Sequence, residues 1–352
     1  MPDWKKGMQQ TFEYYIVDPD TWKDKEKIDN VISSTIERDA DSETLGSASF
    51  DITDSVGECY IRVYLITIQN GVREKYPLGT FLVQTPSSSF DNKVRTVTMD
   101  AYTPLLELKE NPPPIGYFIA KDTNITESTI RLIDEHARAP IVDTKDDSTI
   151  PHDFVANTED TWLSFLSDLI SNAKFEFELD ELGRILLSKK QDISSLQPVW
   201  EYEDNDESII YQDIDMDHDL YGIPNVVEVA YSKGSYNFFV RVVNDDPNSP
   251  TSTVSRGREI TYRETSPDMV GTPTEAQAQE YAEQLLRNLS TVEYIISYTH
   301  GYCPVRVGDC VLINYKKAGL KDIKAKVISQ SIKCEEGCPV TEKAVFTMKL
   351  WR

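Results

Sequence analysis

The chain is short of several things, and each absence closes off a function. No run of about 18 apolar residues occurs, so no helix is expected to span a bilayer. The opening stretch MPDWKKGMQQTFEYY lacks the apolar segment of a signal peptide. Synthesis and folding in a cytoplasm are therefore expected. Basic residues are scarce: 36 Lys and Arg stand against 59 Asp and Glu, for a net charge of −23. Specific nucleic-acid binding through phosphates needs clustered cations and is not expected. Nor is attraction to an anionic membrane surface.

Cysteines number five: Cys59, Cys303, Cys310, Cys334 and Cys338. An odd count without a signal peptide argues against a disulfide framework. Histidines number only four, and none sits in HExxH or beside a Ser or Cys nucleophile motif. The patterns GxSxG, GxxxxGK[ST] and GxGxxG are missing. No catalytic residue, cofactor site or metal ligand is assigned.

What is present divides into three segments. Residues 1–110 read as strands: TFEYYIVD (11–18), SASFDIT (47–53), CYIRVYLITI (59–68), YPLGTFLVQT (76–85) and KVRTVTMDAY (93–102) are rich in β-branched and aromatic residues. Asn70-Gly71 marks a hairpin. Five such strands suggest a small antiparallel barrel or sandwich. The prolines of ENPPPIG (110–116) end this segment.

Residues 111–198 form an expected α/β domain. Asn124 with Glu127 reads as a capping box opening a helix. TEDTWLSFLSDLISNA (158–173) reads as a second helix with an acidic first turn. KFEFELDELGRILLS (174–188) reads as a hairpin turning at DELG, so LGRILLS is taken as its returning strand.

Residues 199–352 are strand-rich again, from VWEYED onward through SIIYQDIDM, NVVEVAYSKGSYNFFVRVVND, REITYRET, VEYIISYTH, DCVLINYK, IKAKVISQSIK and KAVFTMKLW. An insertion at about 244–291 holds a long polar loop, expected to be mobile, and a helix. Thr272 is its expected N-cap, with Pro273 at the first helical position and Glu275 closing the box. Ala278, Ala282, Leu285 and Leu289 form its apolar stripe.

Two constellations suggest chemistry. QDIDMDHDLYGIPN (212–225) places Asp213, Asp215, Asp217 and Asp219 at alternate positions. An EF-hand frame fails: counting from Asp213 puts His218 and Pro224 where Gly and Glu belong, and counting from Asp215 puts Leu220 and Val226 there. A strand is the simpler reading, with the aspartates on one solvated face and Ile214, Met216 and His218 on the other. Cys303, Cys310, Cys334 and Cys338 offer four thiolates, but only Cys334 and Cys338 have zinc-like spacing. Free cysteines are the alternative.

Several stretches resemble the hub proteins of phage tails and phage-like contractile particles. IDNVISSTIERDADSETLGSASFDITD resembles the family's opening. PLGTFLV (77–83) followed by AYTPL (101–105) is its most telling sequence. The helix and hairpin through 188, the IPN (223–225) before a valine-rich strand, and VGDCV (307–311) follow in the same order. This resemblance implies a β-rich α+β fold. Two small antiparallel barrels of tail-tube-like type flank an α/β domain, with a helical insertion in the second. It also implies a non-enzymatic homotrimer at the distal tail end, assembled in the host cytoplasm. Its expected partners are a tail tube or distal ring, a central spike or tip, and the tape-measure protein. The acidic balance would suit a lumen that lets DNA pass. A tail-associated cell-wall hydrolase and an ion-binding adhesion module are the rival readings. The chain ends at FTMKLWR, about where a hub should end, which leaves no expected room for a hydrolase domain.

Overall fold

The computed structural model describes residues 2–54, 56–91, 94–233, 236–265, 267 and 274–351. The backbone packs as two compact units, Met1–Ile214 with Tyr298–Ala344, and Asp215–Ser297 with Val345–Arg352. The expected borders at 110 and 198 both lie inside the first unit, and the insertion at 244–291 lies inside the second.

The first unit opens with β1 (Gln9–Val17), β2 (Asp24–Ile28), β3 (Val31–Asp39), β4 (Gly46–Ile52), β5 (Tyr60–Gln69), β6 (Val72–Asp91) and β7 (Val94–Tyr102). The five expected strands of this segment are all present, though Lys93 lies outside the described residues. β2 and β3 are additional. β2, DKEKI, exposes four of its five residues and so has no apolar alternation to read. The β5–β6 hairpin turns at Asn70 and Gly71, with φ of 51° and 79° and Gln69 opposite Val72. Two successive positive φ values are what a two-residue hairpin of matching twist requires, and Asn-Gly tolerates both.

The middle of the chain adds α1 (Leu106–Lys109), β8 (Phe118–Ile119), α2 (Ile125–His136), β9 (Phe154–Val155), α3 (Trp162–Ser171), β10 (Phe175–Leu179) and β11 (Ile185–Lys189). Asn124 caps α2, its side chain accepting from Glu127 N at 2.9 Å. The cap of α3 is Thr161, paired with Ser164 in a capping box, and no acid lies in the first turn. The expected start at 158 was too early: Glu159 and Asp160 precede the helix. Leu163, Phe165, Leu166, Leu169 and Ile170 of α3 pack on Leu132 and Ile133 of α2 and on Phe175 and Leu187 of the hairpin. Truncating such a side chain to Ala costs about 2–5 kcal/mol.

The unit closes with β12 (Pro198–Glu203) and β13 (Ile210–His218), the latter crossing into the second unit. That unit holds β14 (Val226–Lys233), β15 (Tyr236–Val243), α4 (Thr253–Arg256), β16 (Thr261–Thr265), α5 (Glu275–Leu289) and the start of β17 (Thr291–Gly301). Its sheet runs β15–β14–β16. Val227, Val229 and Val242 on one face meet Ala282 and Leu286 of α5. Thr272 and Pro273 lie outside the described residues, as do Gly234 and Ser235. The cap of α5 is Thr274, in a capping box with Gln277, so the box falls two residues later than expected.

The loop expected to be mobile is instead bonded inward. Asn244, Ser249, Thr251 and Ser252 are buried. Asn244 Nδ2 donates to Ser249 Oγ at 2.9 Å, and Arg256 donates to the carbonyls of Ile223 and Leu220. Asn225 donates to Arg258 O and accepts from Ile260 N. Polar side chains satisfying buried backbone groups supply an order that composition alone does not reveal.

The chain then completes β17 and adds β18 (Cys310–Asn314), β19 (Ile323–Lys333) and β20 (Pro339–Lys349). The order β13–β17–β20–β19–β3–β4–β7–β6–β5–β1–β2 makes one large sheet, with β18 beside β19 and β12 beside β18. The N-terminal and C-terminal strand sets are joined through β3 and β19, where Ile36 stands opposite Ile332. The fold is a β-rich α+β fold.

Candidate functional site

The most unusual group in the first unit is a set of polar side chains sealed in its sheet. His300 on β17 and Glu342 on β20 are both 0% exposed. Each is in phase with apolar neighbours, Ile296 and Tyr298 for the histidine, Val340 and Ala344 for the glutamate, so the pleat turns both inward. His300 Nε2 lies 3.4 Å from Glu342 Oε2. Tyr202 on β12 places its hydroxyl 3.1 Å from His300 Nε2 and 3.4 Å from Glu342 Oε1. Tyr298 donates to the same oxygen. Gln330 donates to Glu342 Oε2 at 2.7 Å and accepts from Arg38 at 3.0 Å. Cys303 Sγ completes the group, 3.5 Å from the Tyr202 hydroxyl and 3.9 Å from His300 Nδ1.

The electrostatics follow from burial. Burial alone would lower the His300 pKa. Hydrogen bonds that the ring makes to Cys303 and Glu342, with the charge of Glu342, carry it the other way, up to about 10. Burial, and then the charge of Glu342, pushes both Tyr202 and Tyr298 well up. The raised His300 favours an imidazolium facing the Glu342 carboxyl group, whose oxygens also accept from Tyr202, Tyr298 and Gln330. Cys, His and Glu in one cluster look like a nucleophile set. Yet Cys303 is 1% exposed and its two partners 0%, so no substrate reaches them in this conformation.

The other cysteines lie apart. Cys334 is buried beside Tyr14 and Ser34, and burial raises its thiol to about 11. Cys338 is pushed up by burial and by Cys334. Cys310 is buried on β18, where burial raises its thiol and the charge of Lys324 lowers it again, and Cys59 is half-buried. All five thiols are free. Among the described residues no group of three or more His, Cys, Asp or Glu is arranged to hold a metal ion.

Three of the four aspartates, Asp213, Asp215 and Asp217, lie on β13, and Asp219 follows just past its end. Asp213, Asp215, Asp217 and Asp219 are all exposed, and Asp219 accepts from Tyr221 N at 2.7 Å. The opposite face is less buried than expected. Met216 is exposed, and His218 is largely exposed while stacking on Tyr294 at 4.6 Å.

A cavity of about 450 Å³ opens in the first unit. Its walls come from the β3–β4 connection, the PLGTF part of β6, α3 with the β10–β11 hairpin, and the loop 306–308. Eight carboxylates and four cations line it above an apolar floor that includes Leu78, Phe81, Ile170 and Phe177. At its edge Asp309 is raised by burial; Arg306 lowers it again, and Glu178 and Glu181 add to the rise.

The hairpin bearing this wall is fixed at its turn. Leu182 O accepts from Trp22 Nε1 at 2.7 Å and from Arg62 Nη2 at 3.0 Å. Gly183 has φ of 73°, and a Cβ there would stand 2.7 Å from Thr80 Cβ. The turn therefore needs glycine for its conformation and for its close approach to β6.

Known structures share the fold. The tail protein from Neisseria meningitidis superposes with a TM-score of 0.61 at 12% identity, over 96% of this chain and 96% of its own. Prophage MuSo2, 43 kDa tail protein from Shewanella oneidensis, gives 0.59 at 10% identity, over 95% and 98%. The fold is one shared with these two tail proteins. The Francisella PdpA–VgrG complex contains a chain that matches at 0.55 and 8% identity, over 97% of this chain and 53% of its own. No protein-family model and no curated protein matches.

Within this tail-protein fold, sequence reasoning located the hairpin turn and the strand nature of the aspartate ladder. It missed the buried His300–Glu342 group and the cavity. The first left a signal: a histidine and a glutamate in phase with apolar residues on two strands. The second left none, because its walls are far apart in sequence.

Proposed function

We propose that the chain is a structural hub at the distal end of a phage tail or phage-like particle, without catalytic activity of its own. The observation that carries this is the fold shared with a tail protein over 96% of both chains. Sealing of Cys303, His300 and Glu342 supports the non-enzymatic part against the hydrolase reading.

In this reading residues 1–110 and 199–352 each supply a small barrel of tail-tube type, and residues 111–198 supply the α/β domain. The insertion at about 244–291 belongs to the second barrel. Three copies form a ring that presents six similar barrels around a channel. Such a ring would join a six-fold tube or distal tail ring to a three-fold spike or tip, matching unequal symmetries by an internal pseudo-repeat. The tape-measure protein and DNA would pass through the channel, where a net charge of −23 disfavours adhesion of phosphates.

Light scattering behind a sizing column, over a range of concentrations, tests the ring. A mass of three times 40.1 kDa is expected. A mass of 40.1 kDa at every concentration would remove the self-assembling ring.

A further inference from the structure

The cavity in the first unit has an excess of negative charge that the molecule does not itself neutralise. Glu43, Glu176, Asp180 and Glu181 are paired with Lys109, Lys326, Arg184 and Arg306. Glu37, Asp39, Asp41 and Glu178 have no Lys or Arg partner among the described residues. Of the other two lining cations, Arg38 is turned to Gln330 Oε1 and Leu78 O, which leaves Lys190 against these four carboxylates. Below this rim the floor is apolar, with Leu78, Phe81 and Phe177 at its base.

We propose that this cavity is a docking site for an extended cationic, amphipathic segment of a partner protein, in which Lys or Arg alternate with aliphatic residues. Three features select that occupant. The volume lies in the range of sites that enclose a few side chains. The apolar floor gives an aliphatic side chain a dry contact, while the rim gives a cation several carboxylates at partial desolvation. The carboxylates do not converge as a metal set among the described residues; they come from the β3–β4 connection on one side and β10 on the other. Charges spread along two walls suit a segment with repeated cations better than a single ion. A nucleic acid is repelled by the same rim.

The inference rests on the hub reading only for the partner's identity, which would be a neighbouring tail component. The test reads the cavity alone. The full chain is titrated into fluorescein-labelled decapeptides at physiological salt, followed by anisotropy. One peptide alternates Lys with Leu, one Lys with Ser, and one Ser with Leu. Saturable binding of the Lys–Leu peptide is expected, with both other peptides weaker. The double variant Asp41→Asn, Glu178→Gln should weaken it about tenfold. The variant Asp215→Asn, Asp217→Asn removes as much charge away from the cavity and should change binding by less than about twofold. Equal losses in the two variants would reduce the effect to net charge and overturn the site. So would equal binding of the Ser–Leu peptide, or unchanged binding by the cavity variant. Self-association of the chain that the cavity variant abolishes would assign the cavity to a second copy instead and overturn the proposal. The peptide outcomes do not depend on the mass that tests the hub, and the self-association outcome is read as a change in that mass between the natural chain and the cavity variant.

Discussion

His300 Nε2 and Glu342 Oε2 lie 3.4 Å apart with neither residue exposed, an ion pair closed inside the sheet of the first unit. Removing one member leaves the other charged and unpaired in a dry site. Glu342→Gln should therefore lower stability by about 3 kcal/mol near pH 6. Denaturant midpoints measure it, and a loss below about 1 kcal/mol would show that the pair is not charged.

The same pair has a pH signature. The folded pKa of His300 is raised from 6.5 to about 10. A raised pKa means stability that is complete below 6.5 and lost as pH climbs toward 10. The stability gap between the natural protein and Glu342→Gln should thus narrow across that window. A gap that widens from pH 6 to pH 10 would reverse the assignment.

Arg62 is 4% exposed and gathers the hairpin turn, Thr80 and Asp24 in one contact, with Asp24 Oδ1 at 3.0 Å. Arg62→Met should cost about 2–4 kcal/mol, because Asp24 and Leu182 O lose a buried donor. Trp22→Phe, which removes one of the two donors to Leu182 O, should cost nearer 1 kcal/mol. Thermal melts of both variants check the order, and a larger loss for Trp22→Phe would contradict it.

Backbone geometry gives a sharper case. Gly46 has φ of 136°, and a Cβ there would collide with the carbonyl oxygen of Glu37 across the β3–β4 ladder. Gly46→Ala should destabilise by about 3 kcal/mol or more, whereas Gly71→Ala, at an open turn, should cost about 1 kcal/mol. Equal effects would contradict the clash.

Thiol chemistry separates the cysteines. Cys303, Cys310, Cys334 and Cys338 are buried and Cys59 is half-buried. A disulfide reagent at neutral pH should label at most Cys59 in the folded chain and all five after unfolding. Rapid labelling of Cys334 or Cys338 in the folded chain would show that their hairpin opens.

The strands with β-branched and aromatic runs were legible, as were the Asn70-Gly71 turn and the DELG hairpin, because local chemistry decides them. β2 and β3 were not, since the polar runs DKEKI and SSTIERD carry little alternation and gain their place from partners on either side. The union of the two strand sets through Ile36 and Ile332 is a pairing across almost 300 residues, which no local pattern encodes. The polar loop at 244–258 looked mobile because its order rests on side chain to backbone bonds from Asn225, Asn244 and Arg256. The aspartates of β13 misled less: alternation alone marked them as a strand.

The proposed assembly is tested most directly by imaging the purified chain by electron cryo-microscopy at a concentration where light scattering reports its largest species. Averages viewed down the axis should show three protomers around an open channel, bounded by six similar lobes. A two-fold dimer, an open filament or a ring without the six lobes would contradict the hub.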